Sequence, residues 1–151
     1  MSLIPKFSVP TFFLLLALVF LLIMETAGDS SSLAKVLHHH GLPGGLFPQN
    51  VKSFNLDQTG RMEVHMHYPC LAHQYESQVF FDSVVRANLS FGQLQVFGGM
   101  CREELFLWFP VKDIMVTDPS SGLIIIDIGL AFKRLPLSRF EDPPICISQG
   151  N

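Results

Sequence analysis

The chain has 151 residues, with 10 Lys+Arg against 13 Asp+Glu, a formal net charge of −3 and a hydrophobic content of 48%. That length fits one domain, and a slightly acidic balance without a basic stripe excludes a nucleic-acid partner. A chain of this size buries enough surface for one core, so disulfides help it without being indispensable.

The opening is an address. Lys6, an apolar run from Thr11 to Met24 and the small residues Thr26, Ala27 and Gly28 follow the order of a secretory signal peptide. The run has 14 residues, short of the roughly 20 that cross the hydrocarbon as a permanent helix. Cleavage is expected before Asp29, giving a signal peptide over 1–28 and a single β-rich domain over 29–151, with an uncleaved anchor as the alternative. No second apolar stretch reaches spanning length, and Gln149, Gly150 and Asn151 are polar. This argues against a transmembrane anchor or a lipid-anchor tail. The expected location is secreted, extracellular.

After Asp29, Ser30 to Ser32 read as the cap of a short helix carrying Leu33, Val36 and Leu37 on one side. It ends at His38 to His40 before Gly41, and three histidines there suit the negative end of the helix dipole. Gly41 to Pro48 then breaks regular structure while leaving Leu42, Leu46 and Phe47 to plug the core. From Val51 the period becomes two. Val51 to Leu56 and Arg61 to His67 alternate, the second as Met62, Val64 and Met66 inward with Glu63, His65 and His67 outward. Asp57-Gln58-Thr59-Gly60 joins them as a hairpin turn.

Further strands are expected over Ser77 to Phe81, Val84 to Phe91, Leu94 to Phe97, Glu104 to Phe109, Val111 to Val116, Leu123 to Ile128 and Leu130 to Arg134, punctuated by glycine and proline. Leu105 to Phe109 and Leu123 to Ile126 are continuously apolar, so both faces of each are expected to be covered. The fold class is mainly β, a small closed barrel or sandwich-like domain with one short N-terminal helix at one end. Phe91, Phe97, Phe106 and Phe109 are expected in the core, with Trp108 partly on the outer face. Whether the interior is filled or holds an apolar pocket is not decided by periodicity.

Cys70, Cys101 and Cys146 allow one intramolecular bridge and leave one thiol over. Cys70 with Cys146 is the preferred pair, because it ties a tail after Pro143 and Pro144 back across a loop of about 75 residues, worth roughly 3 to 4 kcal/mol. Three free thiols or pairing between chains remain the alternatives.

Several segments taken together resemble a known family: Gly41-Leu42-Pro43, Gly45-Leu46, Pro48 and Val51; Gly60 to Val64 ahead of Cys70; Leu89-Ser90-Phe91-Gly92; Leu105-Phe106-Leu107-Trp108-Phe109-Pro110-Val111; and Phe140-Glu141 before Pro143-Pro144 and Cys146. In order and spacing they are similar to the plant family catalogued as domain of unknown function 538, from about Leu33 to Cys146. The resemblance implies a small, often secreted β-rich domain with no established catalytic residues. It also implies a barrel likened to the bactericidal permeability-increasing proteins, which hold lipid, and an esterase-like activity suggested for some members. Where relatives commonly carry lysines before the Leu-Phe-Leu-Trp strand this chain has Cys101-Arg102-Glu103, and His65 and His67 are not family marks.

Asn88-Leu89-Ser90 is an N-glycosylation acceptor, Asn88 facing solvent if Leu89 faces the core. His65 and His67 project the same way from a strand and could share a metal ion, but no third ligand is fixed by the pattern, so no metal site is assigned. No Gly-x-Ser-x-Gly elbow is present. Leu89-Ser90-Phe91-Gly92 reads as a turn, and Cys101 as a spare, partly buried cysteine rather than a nucleophile. No catalytic residue and no cofactor is assigned. The expected function is a secreted, noncatalytic binding protein for an apolar or lipid-like small molecule. A weak esterase-type hydrolase using Ser90 or His65 is the alternative, and an interaction protein of the cell wall or membrane surface is a third reading.

Overall fold

A computed structural model describes residues 11–19 and 26–147. Lys6, part of the apolar run and the C-terminal Gln149, Gly150 and Asn151 lie outside the described residues. A helix covers 11–19 (α1) with its side chains exposed. No helix among the described residues is long and apolar enough to cross a membrane.

The helix α2 (Ser30–His39) starts where the sequence placed it, but its cap is different. Asp29 rather than a serine is the N-cap, its carboxylate accepting a hydrogen bond from the Ser32 backbone N–H at 3.2 Å. This satisfies one of the donors that a helix start leaves unpaired, with an ionised acceptor that also suits the positive end of the dipole. Leu33 and Leu37 are buried, as are Leu42, Leu46 and Phe47 in the following loop.

The strands are β1 (Thr26–Gly28), β2 (Val51–Leu56), β3 (Arg61–Met66), β4 (Cys70–Gln74), β5 (Ser77–Ser90), β6 (Gln93–Glu104), β7 (Leu107–Pro110), β8 (Asp113–Met115), β9 (Leu123–Asp127), β10 (Phe132–Pro136) and β11 (Cys146–Ile147). The β2–β3 hairpin turns on Asp57 to Gly60. The Asp57 carboxylate accepts hydrogen bonds from the Thr59 hydroxyl at 2.7 Å and from the backbone N–H groups of Thr59 and Arg61, and Gly60 takes a φ of +96°. Those donors, the Thr59 hydroxyl first, hold the Asp57 carboxyl below its ordinary range. Along β3, Met62, Val64 and Met66 are buried while Glu63, His65 and His67 look outward, as the alternation required.

All strand pairs are antiparallel, in the order β1-β2-β3-β5-β6-β8-β9-β10, with β4 and β11 joined through β5 and β7 joined through β6. The expected closed barrel is not formed. β1 and β10, the ends of this path, do not pair. The reason lies in β5 and β6, which are far longer than the sequence suggested. Asp82-Ser83 and Gly98-Gly99 looked like strand breaks, but the chain passes through both as irregularities, the register shifting between Phe81 and Ala87. The first half of β5 pairs with β4 and its second half with β3; β6 likewise pairs with β8 at its start and β7 at its end. One bent sheet therefore folds over one core, with Phe54, Phe81, Leu94, Ile124 and Phe140 fully buried inside it. At the bend Gly99 has a φ of +95°, and a Cβ there would collide with the Val84 carbonyl, so only glycine fits.

Cys70 and Cys146 form the expected disulfide, Cα to Cα 5.4 Å, and Cys101 is free. The bridge fixes β11 beside β4, where Cys146 lies opposite Ala72.

Candidate functional site

The register of β2, β3 and β5 assembles a row of outward polar side chains. Asn55 lies opposite Glu63, and Glu63 opposite Arg86, while the neighbours Phe54, Val64 and Val85 face the core. Glu63 is the hub. One of its oxygens is 2.8 Å from His65 Nε2 and the other 3.3 Å from Arg86 Nε. Beside this row lies an open cleft of about 560 Å³, bounded by Asn55, Asp57, Arg61, Glu63, Arg86 and Phe97. Phe97, expected in the core, is 60% exposed because it alternates with the buried Val96 and so falls on the outer face. The cleft thus combines two guanidiniums, two carboxylates and one bare phenyl ring. Among the described residues no lining side chain is a nucleophilic hydroxyl or thiol.

The residues singled out by the sequence scatter around this cleft. His65 pairs with Glu63, and its strand position is opposite Val84. At the usual strand rise, Val84 to Ser90 spans roughly 20 Å. Ser90 and His65 therefore do not share a site. Ser90 ends β5 and is exposed ahead of Gly92, whose φ is +74°, in keeping with a turn. Among the described residues no three His, Cys, Asp or Glu side chains converge as a metal set. In the last turn of α2 and its cap, His40 Nδ1 contacts the Val36 carbonyl at 2.8 Å, and His38 lies 3.9 Å from Glu141. Asn88 is half-buried between Arg61 and Gln95 on the outer face, with Ala87 and Leu89 buried on either side. The half-buried Cys101 thiol is pushed up, by burial first and by the Asp82 carboxylate second, which keeps it protonated.

Comparison with known proteins adds a family and nothing more specific. Residues 33–141 match a family described as a protein of unknown function, DUF538. The chain belongs to the DUF538 family. No curated protein and no solved structure matches it. The matched span of this DUF538 chain runs from α2 through the 3₁₀ turn Leu137–Phe140, and so includes every residue of the cleft.

A second feature of the DUF538 chain overturns an expectation. Leu105 to Phe109 is not one doubly covered strand. Glu104 and Leu107 face each other as the last pair of a β6–β7 hairpin, and Leu105 and Phe106 form its two-residue loop. Both have positive φ, 53° and 67°, the backbone that such a loop needs and that Asn-Gly usually supplies. For branched or aromatic residues this conformation costs about 1 to 2 kcal/mol each. Leu105 is 88% and Phe106 93% exposed, Leu107 and Trp108 are exposed behind them, and only Phe109 packs partly on the core. Phe91, also expected inside, is exposed at the β5–β6 turn. Leu123 to Ile126 is fully covered on one face only, Ile124 and Ile126 being buried while Ile125 is half-buried and Leu123 exposed.

Beneath that hairpin lies a charge that sequence reasoning missed. Arg102 is 1% exposed. Its Nε donates to Glu104 at 3.4 Å, and the other Glu104 oxygen is 3.2 Å from Lys133 Nζ on β10. Arg102 Nη1 is buried without a hydrogen bond among the described residues. Burial lowers the guanidinium's affinity for its proton, and Glu104 partly restores it. The available signal was phase: Met100 and Arg102 share one face of β6.

Proposed function

We propose that the protein is a noncatalytic binding module whose ligand is an amphipathic, lipid-like small molecule held in the β2–β3–β5–β6 cleft. The observation that carries this reading is the pairing of Phe97 with Arg61 and Arg86 around one open volume of about 560 Å³. An exposed phenyl gives an apolar tail somewhere to lie, and guanidiniums give an acidic head a charge-assisted partner. Arg86 is held in an ion pair by Glu63, whereas Arg61 acts on the Asp57 carboxylate by charge without an ion pair among the described residues, so Arg61 is the better head-group partner. Titration with a fluorescent fatty acid tests this. Phe97→Ala is expected to weaken binding about tenfold, the worth of one well-covered aromatic contact, and Arg61→Ala to weaken an acid more than the matching alcohol. Equal affinity of wild type and Phe97→Ala would remove the cleft as the site.

The same reading includes export, supported by Lys6, the apolar run and the small residues after it. Cleavage before Asp29 removes β1 from the edge of β2 but leaves the carboxylate that caps α2. Protein recovered from the medium is expected to start at Asp29 and, from a eukaryotic host, to lose mass on peptide-N-glycosidase treatment through Asn88. An intact leader on medium protein would count against the cleavage, and an unchanged mass against the glycan.

A further inference from the structure

We propose that the β6–β7 hairpin is a membrane-docking tip that inserts Leu105 and Phe106 into a zwitterionic lipid surface. Three observations at the tip favour a bilayer over a protein partner. First, it is an apex rather than a groove: the most exposed side chains of the hairpin, at 88% and 93%, are the two loop residues themselves. Their positive φ values, 53° and 67°, meet a need that glycine or asparagine would serve with less strain. Second, the tip is closed. Glu104 and Leu107 pair across a two-residue loop, and the ladder continues to Cys101 and Pro110. Backbone groups of the stem are therefore paired as far as Glu104 and Leu107, which leaves only the two loop residues' own amides outside the ladder, at a depth where head groups and water still reach them. Third, the residues are graded in depth. Leu105 and Phe106 lie outermost and Trp108, 44% exposed, one step behind, at the level where an indole meets head groups.

Charge then selects the lipid. At the base of the hairpin Arg102 and Lys133 stand against Glu103 and Glu104, with Glu104 joined to both cations. The two cations at the hairpin base, Arg102 and Lys133, are both taken up by Glu104, so an anionic head group gains little there and insertion is driven chiefly by apolar contact. The Glu104–Lys133 pair also ties β10 to the base of the hairpin.

Trp108 is the only tryptophan of the chain, so its emission reports on the tip even where the apolar segment at 11–24 also associates with lipid. The full chain is mixed with phosphatidylcholine vesicles carrying bromine on the acyl chains. Trp108 emission is expected to shift to the blue and be quenched, with quenching changed less than about twofold between low and 1 M salt. The double variant Leu105→Asn, Phe106→Gly gives the loop its favoured sequence. It is expected to melt at or above the wild-type temperature while Trp108 quenching falls at least about fivefold. Quenching retained by this folded variant overturns the proposal. So does quenching seen with anionic vesicles alone, or a blue shift that grows with protein concentration without lipid, which would mark the tip as a contact between copies. Fatty-acid binding in the cleft should not change in the variant, so the two sites fail independently.

Discussion

Cys146→Ala is expected to lower the melting temperature of the oxidised protein by about 10 °C, the largest effect of any substitution outside the core. The bridge spans a sequence separation of 76, and closing a loop that long removes unfolded-state entropy worth about 3 to 4 kcal/mol. In a domain of this size each kcal/mol moves the midpoint by roughly 3 to 5 °C. Cys146 is the better member to replace, because it is only half-buried, whereas Cys70 is fully enclosed and its loss would add a cavity. The tail does not depend on the bridge for its position alone. Gly45 N–H donates to the Phe140 carbonyl at 2.8 Å, Gln49 N–H donates to Pro144 at 2.9 Å, and Phe140 is fully buried. The variant should therefore keep the fold at room temperature and lose it early on heating. Cys101→Ser, which touches no bridge, is expected to melt within about 2 °C of wild type. Differential scanning calorimetry without reductant compares the three; a Cys146→Ala midpoint equal to wild type removes the entropic account.

That bridge was legible because tail, prolines and cysteine parity pointed one way, and the β2–β3 hairpin because turn chemistry and alternation agreed. Met62, Val64 and Met66 mark the inner face, and Asp57 and Gly60 serve the turn between strands. What could not be read was the meaning of apolarity without alternation. A strand covered on both faces and a hairpin apex covered on neither present the same string, Leu-Phe-Leu-Trp-Phe, and only the pairing of Glu104 with Leu107 tells them apart. Strand length failed for a related reason. Asp82-Ser83 and Gly98-Gly99 have turn composition, but each is an irregularity in a strand that continues, because β5 and β6 bend together there and Gly99 lets the backbones approach. With β5 and β6 each serving two halves, the sheet folds over its own core and has no need to close. The cleft followed from that bend and was invisible for the same reason: it takes Asn55, Glu63, Arg86 and Phe97 from four strands whose registers no local pattern fixes.

Glu104→Gln is expected to cost about 3 kcal/mol, whereas Arg102→Met should be neutral within about 1 kcal/mol or stabilising. The asymmetry follows from where the charges sit. The Arg102 side chain is 2% exposed, and its one carboxylate partner, Glu104, is itself largely covered at 17%. Removing the carboxylate strands a guanidinium among Val79, Met100 and Phe109, with Nη1 already lacking a hydrogen bond. Removing the guanidinium instead leaves Glu104 with Lys133 at 3.2 Å, a pair that is partly open to water and needs no further partner. Methionine keeps most of the volume and removes the desolvation cost, so packing survives and the orphaned donor disappears. The double variant Arg102→Met, Glu104→Gln should recover most of the loss, since the charge that made Glu104→Gln costly is gone. Urea unfolding at neutral pH reads all three midpoints. If Arg102→Met proves as damaging as Glu104→Gln, the guanidinium is making contacts worth more than its burial costs, and the ion pair is a net stabiliser of the hairpin base. The expected order, with Arg102→Met at least as stable as wild type, instead means that the fold carries Arg102 at a cost. That cost falls directly beneath the strained and exposed Leu105-Phe106 tip. Two unfavourable features stacked on one hairpin, neither required by the core, are what a segment kept for contact with a partner looks like.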